Sequence, residues 1–289
     1  MICKFLDPKN DIAFKKIFGT EQNKDILLHF LNDMLKFKGK SPIVEITFLS
    51  PVQNPEIAVL KTSYVDVLCK DEHGNKYIVE MQVAKEDSFL KRAQYYASKA
   101  YSSQTHVGEE FEHLKEVIFL AIADFVLFPD KKDFKSDHVI LDRDTHEHDL
   151  QDFSFTFVEL PKFKKDDIAQ LSNMIDKWCY FFKYAEDMSP EDLKKLMKSD
   201  KIIKRAYEEL DRHHWTEEEM LSYEWAEKQR RIYTGTIKTS FRDGKAEGKA
   251  EGIVDGKVEV VKKMLARGLD IKMVMEMTDL SQTEIQKIK

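Results

Sequence analysis

Two carboxylates stand inside stretches that otherwise have the composition of β-strands. Asp66 lies within residues 64–69 and Glu80 within residues 76–83, and both stretches are rich in β-branched and aromatic residues. Because the Asp/Gly/Asn cluster between them is typical of hairpin turns, we expect the two strands to pair. This pairing sets Asp66 within about one residue of Glu80, where facing Cβ atoms lie roughly 4.5–5.5 Å apart. The hairpin therefore carries two carboxylates towards each other.

Such a pair could hold a hard divalent cation. Mg²⁺ takes oxygen ligands, typically one or two carboxylates completed by water and substrate phosphate. Asp66 and Glu80 fit this count, and the backbone carbonyl of Met81 could add a ligand. The neutral Gln82 could orient an attacking water, since its amide both donates and accepts hydrogen bonds. Two solvated carboxylates on the wet face of an ordinary hairpin are the alternative, and spacing alone leaves both open.

Side-chain alternation assigns the faces of the second strand. Glu80 and Gln82 point to one face, whereas Val79, Met81 and Val83 point to the other. The apolar face is predicted to pack on the core. An acidic residue in mid-strand departs from this pattern, and such departures concentrate at functional sites.

These motifs, taken in order, resemble a known family of nucleases. The core motif of the PD-(D/E)XK nucleases is resembled by Asp66 followed, fourteen positions later, by Glu80, Met81 and Gln82, with Gln82 where most members have lysine. The wider chain resembles the recombination-promoting nuclease (Rpn) family, also described as PD-(D/E)XK nuclease family transposases. That similarity is carried by DIAFKKIF at 11–18, IVEMQ at 78–82, RAQYYA at 92–97, VELPKF at 158–163 and the GKAE repeats near the C-terminus.

The resemblance implies a metal-dependent DNA endonuclease that hydrolyses phosphodiester bonds. It implies that Asp66, Glu80 and Gln82 are catalytic and that Asp66 and Glu80 hold Mg²⁺, with Mn²⁺ as a substitute. Gln82 carries no positive charge and is no base, so water activation would rest more on the metal. The implied fold class is α/β, a PD-(D/E)XK restriction-endonuclease-like core with a mixed central sheet flanked by helices, plus a helical C-terminal extension.

Two predicted helices flank the hairpin. In the resemblance the first, at residues 11–18, lies beside the nuclease site, which makes Asp11 and Lys15 candidate accessory residues. On the helix after the hairpin, Arg92 and Tyr95 fall together at three-residue spacing and form a basic and aromatic face suited to a phosphate backbone. The alternatives are that Asp11 only caps its helix, that Lys15 is an ordinary surface residue, and that the face with Arg92 and Tyr95 is simply solvated.

Further along the chain, the apolar run at residues 117–128 predicts a central strand buried on both faces.

The composition describes a soluble globular protein, with 42% hydrophobic and 34% charged residues. The chain shows no apolar run of the roughly 18 residues that a membrane span needs and no leader-like N-terminus. We therefore expect a cytoplasmic protein without membrane association. Its three cysteines, Cys3, Cys69 and Cys179, are too few and scattered for a disulfide framework or a zinc site.

The charge balance constrains how the protein could bind DNA. A formal net charge of -6 argues against indiscriminate binding, because affinity for phosphate rises with local lysine and arginine. DNA as a partner therefore requires a local basic patch. The candidates are Lys15, Lys16, Lys61, Lys85, Lys91, Arg92 and Lys99.

The chain is predicted to have three parts. Residues 1–165 form the nuclease-like core, residues 166–240 a helical layer packed on it, and residues 241–289 a charged repeat helix with a small helical tail. The tail contains a capping box at Ser281 and Glu284 and resembles a small helix-turn-helix-like (HTH-like) unit. DNA contact is one possible role, but the face formed by Lys272, Glu276 and Gln286 is not basic enough to favour it over dimerisation.

The repeat helix has an unusual stripe of glycines. Gly244, Gly248, Gly252 and Gly256 recur every four residues. Each costs a helix about 0.5–1 kcal/mol relative to alanine, and like charges four residues apart repel. Because the helix alone should be poor, we predict that it associates with a second copy to give a homo-oligomer. A flexible charged linker is the alternative.

Two other classes of function stay open. One is a catalytically silent DNA-binding or transposon-derived accessory protein, which predicts no dependence on divalent metal. The other is a regulatory oligomer acting through its C-terminal helix, which predicts that loss of the tail abolishes function while Asp66→Ala does not.

Overall fold

The computed structural model describes residues 4–35, 41–53, 63–105 and 108–288. Cys3 and Lys61 lie outside these ranges. The helices are α1 (Asp11–Phe18), α2 (Lys24–Leu35), α3 (Phe89–Ser102), α4 (Met174–Tyr184), α5 (Pro190–Ser199), α6 (Lys201–Leu210), α7 (Glu217–Ala266), α8 (Ile271–Thr278) and α9 (Gln282–Ile288). The strands are β1 (Ile46–Phe48), β2 (Val52–Gln53), β3 (Ser63–Tyr64), β4 (Val67–Asp71), β5 (Lys76–Gln82), β6 (Val117–Ala123), β7 (Lys135–Val139) and β8 (Phe153–Glu159).

A mixed six-stranded sheet forms the centre of the first of two compact units, Met1–Ala226. Its strand order is β1-β4-β5-β6-β8-β7. The pairs β5·β6 and β6·β8 are parallel, whereas β1·β4, β4·β5 and β7·β8 are antiparallel. This sheet, with helices on its faces, confirms the predicted fold class.

The central strand β6 is buried along its whole length, as its apolar sequence predicts. The strand is shorter than the apolar run, however, because it ends at Ala123 and the run continues to Phe128. Both neighbouring strands end at the same level, since Gln82 of β5 and Glu159 of β8 pair with Ala123. The apolar residues beyond this point pack as a loop.

Two apolar layers cover the faces of the sheet. One layer contains α1, α2, α4 and α6, with a cluster of rings formed by Phe14, Phe18, Phe30, Trp178 and Phe182. The other contains α3, which buries Phe89, Ala93, Ala97 and Ala100. Cys69 and Cys179 are buried free thiols. None of the helices in the described ranges is long and apolar enough to cross a membrane.

The second compact unit, Glu227–Lys289, has a small core of its own. Val261 of α7, Val274 of α8 and Ile285 of α9 are buried together. The capping box that begins α9 is present, since the backbone N–H of Ser281 donates to Oε2 of Glu284 at 2.8 Å. The glycine repeats lie within the continuous helix α7, not in a linker. The three-part division at residues 165 and 240 stays a prediction.

Candidate active site

The β4–β5 hairpin owes its register to a tight turn. Gly74 adopts a positive φ of 89°, which glycine accepts without a steric penalty. The Asp71 carboxylate accepts hydrogen bonds from the backbone N–H groups of His73 and Asn75, both at 2.9 Å. The turn fixes the pairing of Val67 with Val79. Continued by one residue, this register places Asp66 opposite Glu80, as the sequence predicts.

Asp66 lies at a bend just before β4, not inside a strand. Val65 packs in the layer under α3, whereas Val67 packs in the opposite layer. Residues two apart in a regular strand share a face, so the chain turns over at Asp66. The predicted strand at 64–69 is therefore interrupted, because Ser63 and Tyr64 pair with β2 instead of continuing into β4.

Asp66 and Glu80 are joined by backbone hydrogen bonds. The N–H of Asp66 donates to Oε1 of Glu80 at 3.1 Å, and the N–H of Met81 donates to Oδ2 of Asp66 at 2.9 Å. Each carboxylate is thus oriented through one of its two oxygens. Within the described part of the chain, Oε2 of Glu80 accepts no hydrogen bond, which leaves it available to a ligand.

The Met81 carbonyl leaves β5 on the same side as this pair. In an antiparallel ladder, the N–H and C=O of one residue face the same neighbouring strand. The Met81 N–H faces Asp66, so its carbonyl faces that side too, one residue beyond Glu80. The three predicted oxygen donors are therefore on one side of one strand end.

The carboxylates are withdrawn from solvent. Glu80 is 5% exposed, and the Asp66 side chain is 17% exposed. Burial raises the pKa of Asp66 above its usual range, while the Met81 N–H and Lys15 oppose the shift. Burial and then the Asp66 charge raise the pKa of Glu80, against the Asp66 N–H, Arg92 and Lys15. Two adjacent carboxyls that are largely withdrawn from solvent resist ionising together, and a cation between them would relieve that cost.

Helix α1 brings further charges to the pair. Asp11 is its first residue, and Lys15 follows one turn later. The Lys15 ammonium lies 2.8 Å from Oδ1 of Asp11 and 3.8 Å from Oδ1 of Asp66. No three His, Cys, Asp or Glu side chains in the described ranges form a group suited to hold a metal ion. An ion at this pair would need water or substrate to complete its shell, as Mg²⁺ commonly does.

Gln82 and Arg92 meet on the α3 side of the sheet. Nη2 of Arg92 donates to Oε1 of Gln82 at 2.6 Å, and Nη1 of Arg92 donates to Oε2 of Glu86 at 2.7 Å. Nε2 of Gln82 donates to the carbonyl oxygen of Ala84 at 3.0 Å. The amide of Gln82, which occupies the third motif position, therefore has a fixed orientation and is hydrogen-bonded to the Arg92 guanidinium.

Tyr95 is placed differently from the other predicted site residues. Its side chain is 45% exposed, with the Lys99 ammonium 6.0 Å from the centre of its ring. Within the described residues, it hydrogen-bonds to neither Asp66 nor Glu80. The neighbouring Tyr96 is coupled to the site more strongly than Tyr95 is. Burial raises the pKa of Tyr96, and the charges of Arg92 and Glu80 also act on that pKa. Tyr96 and Glu86 were not among the residues predicted from the sequence to lie near the site. Tyr96 could have been found from its four-residue spacing from Arg92 on the same helix face. Glu86 lies in a loop without periodicity, so no sequence pattern indicated its contact with Arg92.

Comparison with models of protein families gives two matches. Residues 8–239 match the model described as PD-(D/E)XK nuclease family transposase. Residues 257–289 match the model described as Rpn/YhgA-like nuclease family, C-terminal HTH domain. The first match covers the hairpin with α1 and α3, and the second covers the end of α7 with α8 and α9. Searches of curated proteins and of solved structures gave no match.

Proposed function

Since the chain belongs to the PD-(D/E)XK nuclease family of transposases, we propose that it is a metal-dependent DNA endonuclease whose active site is the Asp66–Glu80 pair. The observation that carries this proposal is a carboxylate pair largely withdrawn from solvent, in which the Asp66 N–H donates to Oε1 of Glu80 and Oε2 accepts no hydrogen bond from the described residues. A pair placed only for solubility would be exposed. Burial of two adjacent carboxyls is costly unless a cation or proton neutralises them.

The donor set fits a hard cation. PD-(D/E)XK nucleases generally use divalent metals, and the Asp66 and Glu80 carboxylates with the Met81 carbonyl offer only oxygen. Oxygen-only donors suit Mg²⁺ and Mn²⁺ rather than softer ions. When bound, such an ion would activate water and offset charge on the phosphate. We propose Mg²⁺ as the ion, with Mn²⁺ able to substitute.

The chain's own residues have distinct proposed roles. The backbone N–H groups of Asp66 and Met81 orient the two carboxylates, so that few conformations need to be frozen when an ion binds. The Lys15 ammonium partly neutralises the pair and stands at its edge, where it could contact a phosphate of the substrate. Gln82, next but one to Glu80 on the same strand face, presents its amide to the reacting group.

DNA is the proposed substrate and partner. Because the net charge is -6, the contacts must be local, and we propose that Asp11, Lys15 and Tyr95 line the path of the backbone. Arg92 lies beside that path, with its guanidinium bonded to Gln82 and Glu86. The HTH domain at residues 257–289 offers a second site of DNA contact. We keep a role in recombination, a cytoplasmic location and a homo-oligomer formed through the C-terminal helix as parts of this proposal.

Cleavage of supercoiled plasmid tests the function. We expect purified protein to nick or linearise plasmid with Mg²⁺ or Mn²⁺ and not with EDTA. Asp66→Asn and Glu80→Gln preserve side-chain shape and should each abolish cleavage. Glu112→Gln, which removes an exposed carboxylate, should cleave as wild type does.

The same assay separates the rival functions. No cleavage by pure wild-type protein, with DNA binding retained, would favour the silent accessory protein. Cleavage that survives both Asp66→Asn and Glu80→Gln would place the active site elsewhere. A phenotype in cells that is lost with residues 243–289 but kept in Asp66→Asn would favour the regulatory oligomer.

A further inference from the structure

We infer that Arg92 is a positioning residue that fixes the Gln82 amide as a hydrogen-bond donor and returns to the third motif position the positive charge that glutamine lacks. This inference rests on the proposed nuclease function. It assigns Arg92 a role through Gln82, in place of a primary contact with DNA.

The contacts of Gln82 leave one orientation of its amide. Arginine has only donors, so the atom 2.6 Å from Nη2 of Arg92 must be the amide oxygen. A backbone carbonyl only accepts, so the atom 3.0 Å from the Ala84 oxygen must be the amide nitrogen. The two ends of the amide are thus identified independently, and the two assignments agree.

This orientation sets what Gln82 can offer a reactant. Its oxygen already accepts a short charge-assisted bond, which makes it a poorer acceptor for a proton of the attacking water. Its nitrogen keeps one hydrogen beyond the one given to Ala84. Hydrogen bonds in a chain polarise one another, so a guanidinium on the oxygen strengthens the remaining N–H as a donor. Gln82 therefore acts on an anionic oxygen of the substrate and does not take up a proton.

Arg92 is itself held in place. Its second terminal nitrogen donates to Glu86 at 2.7 Å, and its guanidinium carbon lies 5.4 Å from the centre of the Phe89 ring. The side chain is thus fixed from two more directions and is largely covered, with 27% of its surface exposed. Its charge also reaches the carboxylate pair, because Arg92 opposes the upward shift of the Glu80 pKa. A lysine at position 82 would bring its charge to this region from the strand instead of from α3.

Moving the charge from position 92 to position 82 tests the inference. We compare wild type, Arg92→Met, and the double variant Gln82→Lys with Arg92→Met. Arg92→Met should lower the turnover rate about 10²-fold, the usual cost of losing one oriented donor. DNA affinity, measured with Ca²⁺ in place of Mg²⁺, should change less than about threefold, since a single phosphate contact is not being removed. The double variant should regain at least about tenfold in turnover over Arg92→Met.

The matched control is Lys70→Gln. Lys70 is exposed on β4, towards the turn of the same hairpin, and its loss lowers the net charge by the same amount. Turnover and DNA affinity should both stay within about twofold of wild type. A loss as large as that of Arg92→Met would show that net charge, not the Arg92 contact, is being measured, and would contradict the inference.

The contact can also be observed without cleavage. In metal-free protein labelled with ¹⁵N-glutamine, the Gln82 side-chain signals, assigned with Gln82→Glu, should shift in Arg92→Met towards those of solvent-exposed glutamines. Unchanged signals would overturn the inference. If Arg92→Met does not fold, Arg92→Lys keeps the stem and the charge but not the fork that reaches Gln82 and Glu86 together. It should show reduced turnover, and wild-type turnover would overturn the inference.

The outcomes separate this inference from the function on which it rests. Lack of metal-dependent cleavage by wild type is seen before any variant is made and contradicts the proposed function. With wild type active, equal turnover in Arg92→Met contradicts only the role of Arg92. Parallel losses of DNA affinity and turnover would make Arg92 a phosphate contact, and a double variant no better than Arg92→Met would refute the charge replacement.

Discussion

The backbone N–H of Asp66 donates to Oε1 of Glu80 across 3.1 Å, so the conformation of one motif residue directly orients the side chain of the other. Asp66 can make this bond because it lies at a bend, one residue before the β4–β5 ladder begins at Val67 and Val79. The bend also aims its own carboxylate at the N–H of Met81. A regular strand at this position would have used these backbone groups for pairing.

The stability of metal-free protein should depend on pH through Glu80. Its pKa is raised in the folded state by burial and by Asp66, so the native protein keeps a proton that the unfolded chain releases near pH 4.3, the usual value. Stability therefore falls as the pH rises from about 4.3 through the raised native pKa. Glu80→Gln removes this loss and still accepts the Asp66 N–H. With chelator present, we expect its Tm to exceed that of wild type by about 2–4 °C at pH 8.5 and by less at pH 5.

The control for this measurement is Glu112→Gln, which removes an exposed carboxylate. Its Tm difference from wild type should not change with pH. A Glu80→Gln variant that is less stable than wild type at pH 8.5 would show that Glu80 is ionised at no cost and would contradict the account.

Lys15 should weaken metal binding, although its positive charge offsets the negative charge of Asp66 and Glu80 when no metal is bound. Its ammonium lies 3.8 Å from Oδ1 of Asp66, and a divalent ion carries more positive charge than a proton that it displaces. Lys15→Met should therefore bind Mn²⁺ about threefold to tenfold more tightly at pH 8.5, a modest effect because the lysine is partly exposed and screened. Titration calorimetry measures this. Weaker Mn²⁺ binding in Lys15→Met would mean that Lys15 supports the ion, contrary to this prediction.

Alanine substitutions in the glycine stripe of α7 should have two opposite effects, because they stabilise the single helix but weaken its association with a second copy. Apart from the neighbouring backbone of its own helix, a Cβ added at Gly248 or Gly252 meets no described atom within 4 Å, so alanine at either position should stabilise an isolated helix by about 0.5–1 kcal/mol. If the stripe packs against a second copy, the added methyl groups separate the helices. We expect the double variant Gly248→Ala with Gly252→Ala to have a lower mass by light scattering, at unreduced helix content.

Gly235→Ala is the matched control, because Gly235 lies on α7 outside the repeats and is equally open. It should keep the wild-type mass. If the double alanine variant and a chain without residues 243–289 both keep the wild-type number of chains per oligomer, the stripe is not the interface.

Local pattern predicted much of the hairpin. Alternation placed Val79 and Met81 in one layer and left Glu80 and Gln82 on the opposite face with Ile78, because the strand period of two is a property of the backbone itself. Turn chemistry around Gly74 set the register to within one residue, since only a few turn geometries join adjacent antiparallel strands. These features depend on neighbours in sequence, so the sequence was sufficient.

Contacts between distant elements were not predictable in the same way. The bend at Asp66 follows from the pairing of β3 with β2, which no periodicity encodes. The contact from Arg92 to Gln82 depends on the side-chain rotamers of both residues and on the anchoring of Arg92 by Glu86 in a loop. Helical spacing placed Arg92 on the correct helix but could not say that its partner would be the amide of the motif itself.

Binding of Mn²⁺ to the metal-free protein tests the central claim most directly, because it depends on the carboxylate pair and requires neither DNA nor cleavage. Titration followed by electron paramagnetic resonance should give one ion per chain for wild type and for Glu112→Gln. In Asp66→Asn and Glu80→Gln, affinity for that ion should fall at least about tenfold, because each variant removes a charged ligand. Equal Mn²⁺ binding by wild type and by both of these variants would contradict the assignment of Asp66 and Glu80 as the metal site.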